Sequence, residues 1–167
     1  EKIEALNADV QEVDDLIATM LNYARLDHPD LEMHWQDVPL DAWLAPLTEK
    51  YEGNDKTLEV NCKATGETVR MDPRLMTLAT SNLLSNAQQY AASHVRVTVR
   101  HTENNVEIRV EDDGSGIPKA ERETIFKAFT RLDDSRNRET GGHGLGLAIV
   151  ARIASLHGGA ITVTEST

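Results

Sequence analysis

The sequence predicts an α+β fold, a two-layer sandwich in which a mixed, mostly antiparallel sheet carries about three helices on one face. Two observations predict it. Valine and isoleucine alternate with polar residues over 95–99 and again over 106–110, with a short turn between, which predicts an antiparallel hairpin with one apolar face. Apolar residues at helical spacing lie before and after this hairpin, which predicts the helices that cover that face. One long helix precedes the sandwich and is expected to stand outside it.

Residues 1–28 are predicted to form that leading helix, and residues 29–167 the domain. Apolar residues recur at alternating steps of three and four, the pattern of a coiled-coil or helical-bundle seam. They are Ile3, Leu6, Val10, Val13, Ile17, Met20 and Ala24. The helix is expected to end at His28-Pro29, because a residue before proline avoids the helical conformation. The seam either packs on its own domain or pairs with another chain, and we expect pairing because no second helix follows to close a hairpin.

The first half of the domain is predicted to alternate strands and helices. Leu31, Met33 and Trp35 alternate with polar residues and predict a half-buried strand. A helix of about three turns should follow Pro39, and two short strands are expected at 57–63 and 68–71. Asp72 and Pro73 are typical of a helix start, with aspartate as N-cap and proline at the first helical position. That helix is expected to run to about residue 90.

Composition limits the classes of function. The net charge of −11 argues against a general nucleic-acid surface, so we expect no direct nucleic-acid partner. The single cysteine, Cys62, excludes an internal disulfide and a cysteine-based metal cluster. No apolar run of about 18 residues is present, and the charged N-terminal sequence does not read as a signal peptide.

A glycine-rich stretch, 141–146, precedes an apolar helical pattern that should end at Gly158 and lead to a last strand at 160–164. Glycines let a backbone approach a ligand closely, and a helix that begins behind them directs free N–H groups at the same point. The stretch is therefore either a tight turn without a ligand or a phosphate-binding loop.

Two further patterns could carry chemistry. Asn82 and Asn86 are four residues apart on one helix face, where they form either a polar surface or a Mg²⁺ site completed by phosphates. Asp112-x-Gly114-x-Gly116 follows a strand, and its carboxylate can accept a hydrogen bond from an exocyclic amine such as that of adenine. The charged residues after 130 are either a solvated loop or a lid whose arginines bind phosphate.

In this order the patterns resemble the motifs of the sensor histidine kinases of two-component systems, in particular the OmpR-type branch. Residues 82–90 resemble the N box, 112–117 the G1 box, 126–129 the F box and 142–147 the G2 box. Each motif alone is weak, but four in the family's order and approximate spacing are highly specific. The resemblance implies the Bergerat ATP-binding fold shared with gyrase, Hsp90 and MutL.

The resemblance also implies roles for these residues, with ATP and Mg²⁺ as cofactors. Asn86 is expected to bind Mg²⁺, and Asn82, Asn86 and Arg131 to be the catalytic residues. Asp112 is expected to bind the adenine amine. The remaining residues expected at the nucleotide are Tyr90, Gly114, Gly116, Ile117, Arg136, Arg138, Gly142, His143, Gly144, Leu145, Gly146 and Leu147. Residues 126–140 would be the ATP lid.

The chain also departs from the family pattern. Gln89 stands where the family often has lysine or arginine, and His143 where serine, threonine or cysteine is more common. None of the six histidines lies in a Glu-Leu-Arg-x-Pro-like context, so the phosphoacceptor is expected on a helix that precedes residue 1. The family's final strand is expected after the chain. This fragment should therefore bind ATP without phosphorylating itself.

The resemblance implies a catalytic portion that donates the γ-phosphoryl group of ATP to a histidine, for relay to an aspartate of a response regulator. The implied partners are ATP or ADP, the phosphoacceptor helix, a dimer partner and a receiver domain, and the implied location is the cytoplasmic portion of a membrane-anchored homodimeric sensor. A gyrase-like or Hsp90-like ATPase is the alternative. Such enzymes carry a glutamate as general base four residues before the metal asparagine, where this chain has Asn82. A third interpretation is an ATP-sensing dimerisation module without phosphoryl transfer.

Overall fold

The computed structural model of the chain describes residues 2–51, 53–130 and 144–165, with side chains from residue 6 onward. Four α-helices, five strands and a short 3₁₀ helix occur in these ranges. In chain order they are α1 (Lys2–Leu26), β1 (Gln36–Pro39), α2 (Leu40–Glu49), β2 (Thr57–Cys62), β3 (Thr68–Met71), α3 (Pro73–Tyr90), β4 (His94–His101), β5 (Val106–Asp112), the 3₁₀ helix (Lys119–Glu121) and α4 (Gly146–Leu156).

The strands form two small sheets. β1 pairs antiparallel with β3, and β4 lies between β2, its parallel partner, and β5, its antiparallel partner. The predicted hairpin is therefore confirmed, and so is the mixed, mostly antiparallel character of the fold. The division into two sheets was not foreseen.

The core lies between the three-stranded sheet and helices α2 and α3. The inward valines of β4 pack with the apolar faces of both helices, and the largest fully buried side chains of this cluster are Leu40, Leu44, Leu84, Val97 and Val99. A second cluster joins α4 to α3 and contains Leu145, Ile149 and Ile153. The predicted three-helix layer is thus formed by α2, α3 and α4.

Helix α1 has the predicted length, and its seam is open to solvent wherever the side chains are described. The seam side chains Leu6, Val10, Val13, Ile17 and Met20 are 45–62% exposed. Its last turn is different, because Leu26 is 2% exposed and packs in the cluster of α4. Arg152 of α4 donates to the Leu26 carbonyl oxygen at 3.1 Å and lies 2.9 Å from the Asp27 carboxylate. We expected the helix to stand outside the sandwich, but its C-terminal end is packed on it.

Two predicted strands are wrong in position or pairing. The strand expected at 31–36 begins only at Gln36, because the His34 N–H donates to the Asp72 carboxylate (2.8 Å) and not to a neighbouring strand. Trp35 is exposed on one side and contacts the His157 ring edge-on. Residues 160–164 keep the predicted alternation of half-buried Ile161 and Val163, but they form no ladder with the described strands.

Helix α3 begins as predicted. The Asp72 side chain accepts from the N–H groups of Arg74 (3.0 Å) and Leu75 (3.3 Å), and Pro73 occupies the first helical turn. Burial alone would raise the pKa of Asp72, but these bonds, the Arg74 guanidinium and the His34 N–H outweigh it and lower the pKa to about 2. Among the described helices, none is long and apolar enough to cross a bilayer.

Candidate nucleotide-binding site

Helix α3 is the axis of the site. Asn82, Asn86 and Tyr90 are spaced by four residues, so the three side chains project from the same side of the helix. Tyr90 lies at its C-terminal end with a relative exposure of 59%, whereas both asparagines are half-buried. Two loops approach this side of α3, one at each end of the stripe.

The first loop follows β5 and contacts the end of α3. A Cβ atom on Gly114 would lie 2.2 Å from the Tyr90 carbonyl oxygen, so only glycine fits there. The Gly114 N–H donates to Asp112 Oδ1 at 2.9 Å, which fixes the carboxylate of this half-buried aspartate. An ionised carboxylate has about four acceptor positions, so Asp112 retains capacity to accept from an amine.

The remaining residues of this loop have the conformations that a close turn requires. Gly116 has φ 72°, in the left-handed region that favours glycine. The half-buried Ile117 follows, and its carbonyl oxygen accepts from Arg122 Nε at 3.0 Å. Asp112, Gly114, Gly116 and Ile117 therefore belong to one ordered loop beside Tyr90.

The second loop precedes α4 and meets the other end of the stripe. A Cβ atom on Gly146 would lie 3.2 Å from Asn82 Oδ1, so the start of α4 is packed directly against Asn82. Asn82 Nδ2 donates to the Leu78 carbonyl oxygen at 3.0 Å, which sets the orientation of the amide. No side chain caps α4 within the described residues, so its first N–H groups remain available to an anion.

Gly144 joins this loop to the segment after β5. It has φ 71°, its carbonyl oxygen accepts from the Phe129 N–H at 2.9 Å, and a Cβ atom would lie 2.9 Å from the Thr130 carbonyl oxygen. Phe129 itself has φ 63° and is 63% exposed. The residues on either side of 131–143 are therefore held together.

Asn86 lies midway along the stripe. Eight residues separate Asn82 from Tyr90, which at 1.5 Å per residue places the two loops roughly 12 Å apart along the helix. No hydrogen bond within the described residues engages the Asn86 amide. No group of three or more histidine, cysteine or acidic side chains in those residues could hold a metal. A single neutral oxygen fits Mg²⁺ only where phosphates and water supply the other ligands.

Seven of the predicted site residues either lie outside the described residues or have side chains that are buried or half-buried around α4. Arg131, Arg136, Arg138, Gly142 and His143 lie outside the described residues. Leu145 is fully buried in the core cluster of α4, so only its backbone could face a ligand. Leu147, also a predicted contact, is half-buried in the first turn of α4.

Two structural residues of the site were not identified from the sequence. Asp113 accepts from Ser93 and His94, and the backbone N–H groups of both hold the pKa of its carboxyl well below the usual range. Lys56 Nζ donates to the carbonyl oxygens of Gln88 and Gln89 at the end of α3. Both contacts join positions 19 to 33 residues apart, so sequence spacing offered no signal for them.

Comparison with known proteins gives consistent matches. Residues 71–167 match the family model of histidine kinase-, DNA gyrase B- and HSP90-like ATPases. The chain is 41% identical over 165 residues to sensor protein RstB of Escherichia coli (strain K12), covering 98% of the chain and 38% of the relative. It is 33% identical to the sensor-like histidine kinase SenX3 of Mycobacterium tuberculosis (strain ATCC 25618 / H37Rv), covering 96% and 40%. The chain thus spans about two fifths of the length of these curated relatives.

Solved structures resemble the chain in fold as well. Full-length ShkA, in a crystal structure with AMPPNP, superposes with a TM-score of 0.83 at 26% identity, covering 98% of this chain and 35% of that chain. The histidine kinase domain of the E. coli osmosensor EnvZ, solved by NMR, gives a TM-score of 0.57 at 30% identity, covering 82% and 83%. The α/β sandwich, the two glycine loops on α3 and these matches together place the chain in the family of histidine kinase-, DNA gyrase B- and HSP90-like ATPases.

Proposed function

We propose that this chain is the ATP-binding catalytic portion of a sensor histidine kinase, which donates the γ-phosphoryl group of ATP to a histidine outside the chain. The observation that carries this proposal is the order of groups along α3. The carboxylate loop meets Tyr90, the glycine loop meets Asn82, and Asn86 lies between them. The parts of an ATP molecule that these groups would bind follow in the same order: the base at the carboxylate loop, the metal-bound phosphates at Asn86 and the terminal phosphate at the glycine loop.

Each group has a role in this proposal. Asp112 accepts from the adenine amine while Tyr90 and Ile117 cover the ring. Asn82 and the backbone N–H groups from Gly144 to Leu147 bind the phosphates, with arginines of 131–138 completing the site. Mg²⁺ held by Asn86 would neutralise phosphate charge, and phosphoryl transfer depends mainly on such positioning and neutralisation. The AMPPNP complex of the similar ShkA supports nucleotide binding.

An ATP hydrolase of the gyrase or Hsp90 kind is less well supported. Hydrolysis needs a general base near the attacking water, and the position four residues before Asn86 carries an amide. The Asn82 amide nitrogen also donates to the Leu78 carbonyl oxygen (3.0 Å), so this side chain is engaged with the helix backbone. The site is therefore better suited to hold ATP for transfer than to hydrolyse it.

The open seam of α1 supports the proposed partners. Leu6, Val10, Val13 and Ile17 are each at least 50% exposed. Apolar residues in this pattern are typical of a helix that pairs within a bundle. We propose that they pack on the phosphoacceptor helix and on a second copy of the chain, in the cytoplasmic portion of a membrane-anchored sensor that phosphorylates a receiver domain.

Nucleotide binding tests the proposal directly. Calorimetry with ADP should give Mg²⁺-dependent binding. Asn86→Ala should weaken it and remove most of the Mg²⁺ dependence, while Asn104→Ala, in the exposed hairpin turn, serves as the matched control. Asp112→Asn should weaken ADP about tenfold, since it loses a charge-assisted hydrogen bond. Equal affinity and equal Mg²⁺ dependence in Asn86→Ala would overturn the metal assignment.

Transfer is tested with γ-labelled ATP. The chain should acquire negligible label by itself, and a longer chain that carries the preceding helix and its histidine should acquire acid-labile phosphohistidine. Labelling of the shorter chain would contradict the proposal that the acceptor lies elsewhere. Rapid release of inorganic phosphate without labelling would instead favour the hydrolase.

A further inference from the structure

The carboxylate of Asp113 accepts hydrogen bonds from Ser93, in the turn between α3 and β4, and from His94, the first residue of β4. Its oxygens accept from the Ser93 N–H (2.9 Å), the Ser93 hydroxyl (2.7 Å) and the His94 N–H (2.9 Å). The Ser93 carbonyl oxygen in turn accepts from the Thr57 N–H (2.9 Å) at the start of β2. An exposed side chain thus ties the end of β5 to two neighbouring elements.

This cluster lies at the point where the regular ladder ends. Asp112 is the last residue of β5 in register with β4, opposite Val95. One residue later, the Asp113 N–H donates to the His94 carbonyl oxygen at 3.2 Å, and its side chain then holds the same turn. Gly114 follows at once, in contact with the Tyr90 carbonyl oxygen and bonded to Asp112 Oδ1. The attached residue, Asp113, therefore lies between Asp112 and Gly114, the two residues that this hydrogen bond joins.

We propose that Asp113 is a positioning residue that sets base specificity: it fixes the Asp112–Gly114 segment against the α3–β4 turn, so that the Asp112 carboxylate faces the amino group of adenine. The inference rests on the proposed function, because Asp112 must bind the base. It assigns to Asp113 no contact with the nucleotide.

The chemistry of the cluster favours a carboxylate at this position. Three donors converge on Asp113, and a carboxylate offers two acceptor oxygens and no donor. An amide of the same shape would offer one oxygen and turn an N–H₂ group toward the other donors. Hydrogen bonds to a charged acceptor are also stronger than neutral ones. Asp113→Asn should therefore loosen the segment without changing its size.

The test compares two nucleotides that differ at the recognised group. ADP carries the amine at position 6 of the purine, and inosine diphosphate carries an oxygen there. The wild-type chain should prefer ADP, and Asp112→Asn should remove the preference. We expect Asp113→Asn to weaken the binding of ADP about tenfold and the binding of inosine diphosphate less than about twofold. The ratio of the affinity for ADP to the affinity for inosine diphosphate should therefore fall. Asp55→Asn, an exposed aspartate in the loop before β2, is the matched control and should leave the ratio unchanged.

The ratio separates positioning from general stability, because partial unfolding weakens both nucleotides equally. Ser93→Ala is the second variant should Asp113→Asn fail to fold. It removes one donor and keeps the backbone bonds, so the ratio should fall about twofold to threefold. An unchanged ratio in the folded variants would overturn the role of Asp113. A wild-type chain that binds neither nucleotide would instead overturn the proposed function.

Discussion

Gly114→Ala is the substitution that tests most directly whether the loop that follows β5 is packed on α3. The added Cβ would lie 2.2 Å from the Tyr90 carbonyl oxygen and 2.7 Å from Asp112 Oδ1. The nearer atom belongs to the backbone, so no side-chain rotation can relieve the contact. Ordinary contacts of a Cβ atom begin near 3.4 Å, and the loop and the helix end would have to separate by about 1 Å.

The energetic cost follows from that displacement. Inserting a methyl group into a well-packed site costs about 1–3 kcal/mol, and more where the backbone must move. We expect a loss near the upper end, about 3 kcal/mol in the free energy of unfolding, because both partners are held by hydrogen bonds. The separation would also draw the Gly114 N–H away from Asp112, so ADP affinity should fall more than about tenfold.

Urea denaturation and calorimetry with ADP measure the two effects. Gly66→Ala is the matched control: its φ of 77° makes alanine unfavourable by about 1–2 kcal/mol, no atom lies within 4 Å of the added Cβ, and it lies outside the proposed site. That variant should be less stable and bind ADP like the wild type. If Gly114→Ala had wild-type stability and ADP affinity, the loop would not be packed on α3 and the reasoning would fail.

Two further predictions concern stability. The pKa of Asp72 is about 2, against 3.8 ordinarily, and this difference corresponds to about 2.5 kcal/mol of stability. This stability is fully present above about pH 4 and is lost as the pH falls through 2. Acid titration followed by circular dichroism should show that Asp72→Asn loses this part of the pH dependence. Lys56→Met should lower the free energy of unfolding by about 1 kcal/mol, since Lys56 caps the carbonyl oxygens of Gln88 and Gln89. In urea denaturation, Lys63→Met, exposed after β2, should change little by comparison.

The sequence predicts the helices and the central hairpin well because their signals are local. Asp72 and Pro73 indicate the start of α3 by N-cap chemistry. The alternation over 95–99 reflects the one buried face of β4, and the apolar residues over 106–110 are half-buried against the same core. Pairing of strands is not local. Residues 31–35 have the alternation of a strand. However, the His34 N–H, which a strand ladder would use, donates to the buried carboxylate of Asp72, which lies 38 residues later in the chain.

The candidate site shows the same division. Residue types at motif spacing identified Asp112, Gly114 and Gly146, and the structure supplies the reasons why two of these are glycines: a carbonyl oxygen of α3 in one case and the Asn82 side chain in the other. Asp113 could be seen in the motif, but its donors come from the turn before β4, about 20 residues away. Such a role becomes visible only when the turn and the strand end are placed together.

The two ends of α3 differ in the charge of the groups beside them, and the net charge of the chain makes this difference relevant to phosphate binding. A protein of net charge −11 repels a polyanion, so carboxylates near the phosphates would be costly. Within the part of the site that the structure describes, the two aspartates Asp112 and Asp113 lie at the Tyr90 end, where the proposed partner is an uncharged base. The end that would face phosphates presents the Asn82 amide and the uncapped N–H groups of α4, which are neutral and polar. If Asn86 binds Mg²⁺ as proposed, this neutral ligand would leave the ion its full charge to offset that of the phosphates, and removal of Mg²⁺ should therefore weaken the binding of ATP more than the binding of adenosine.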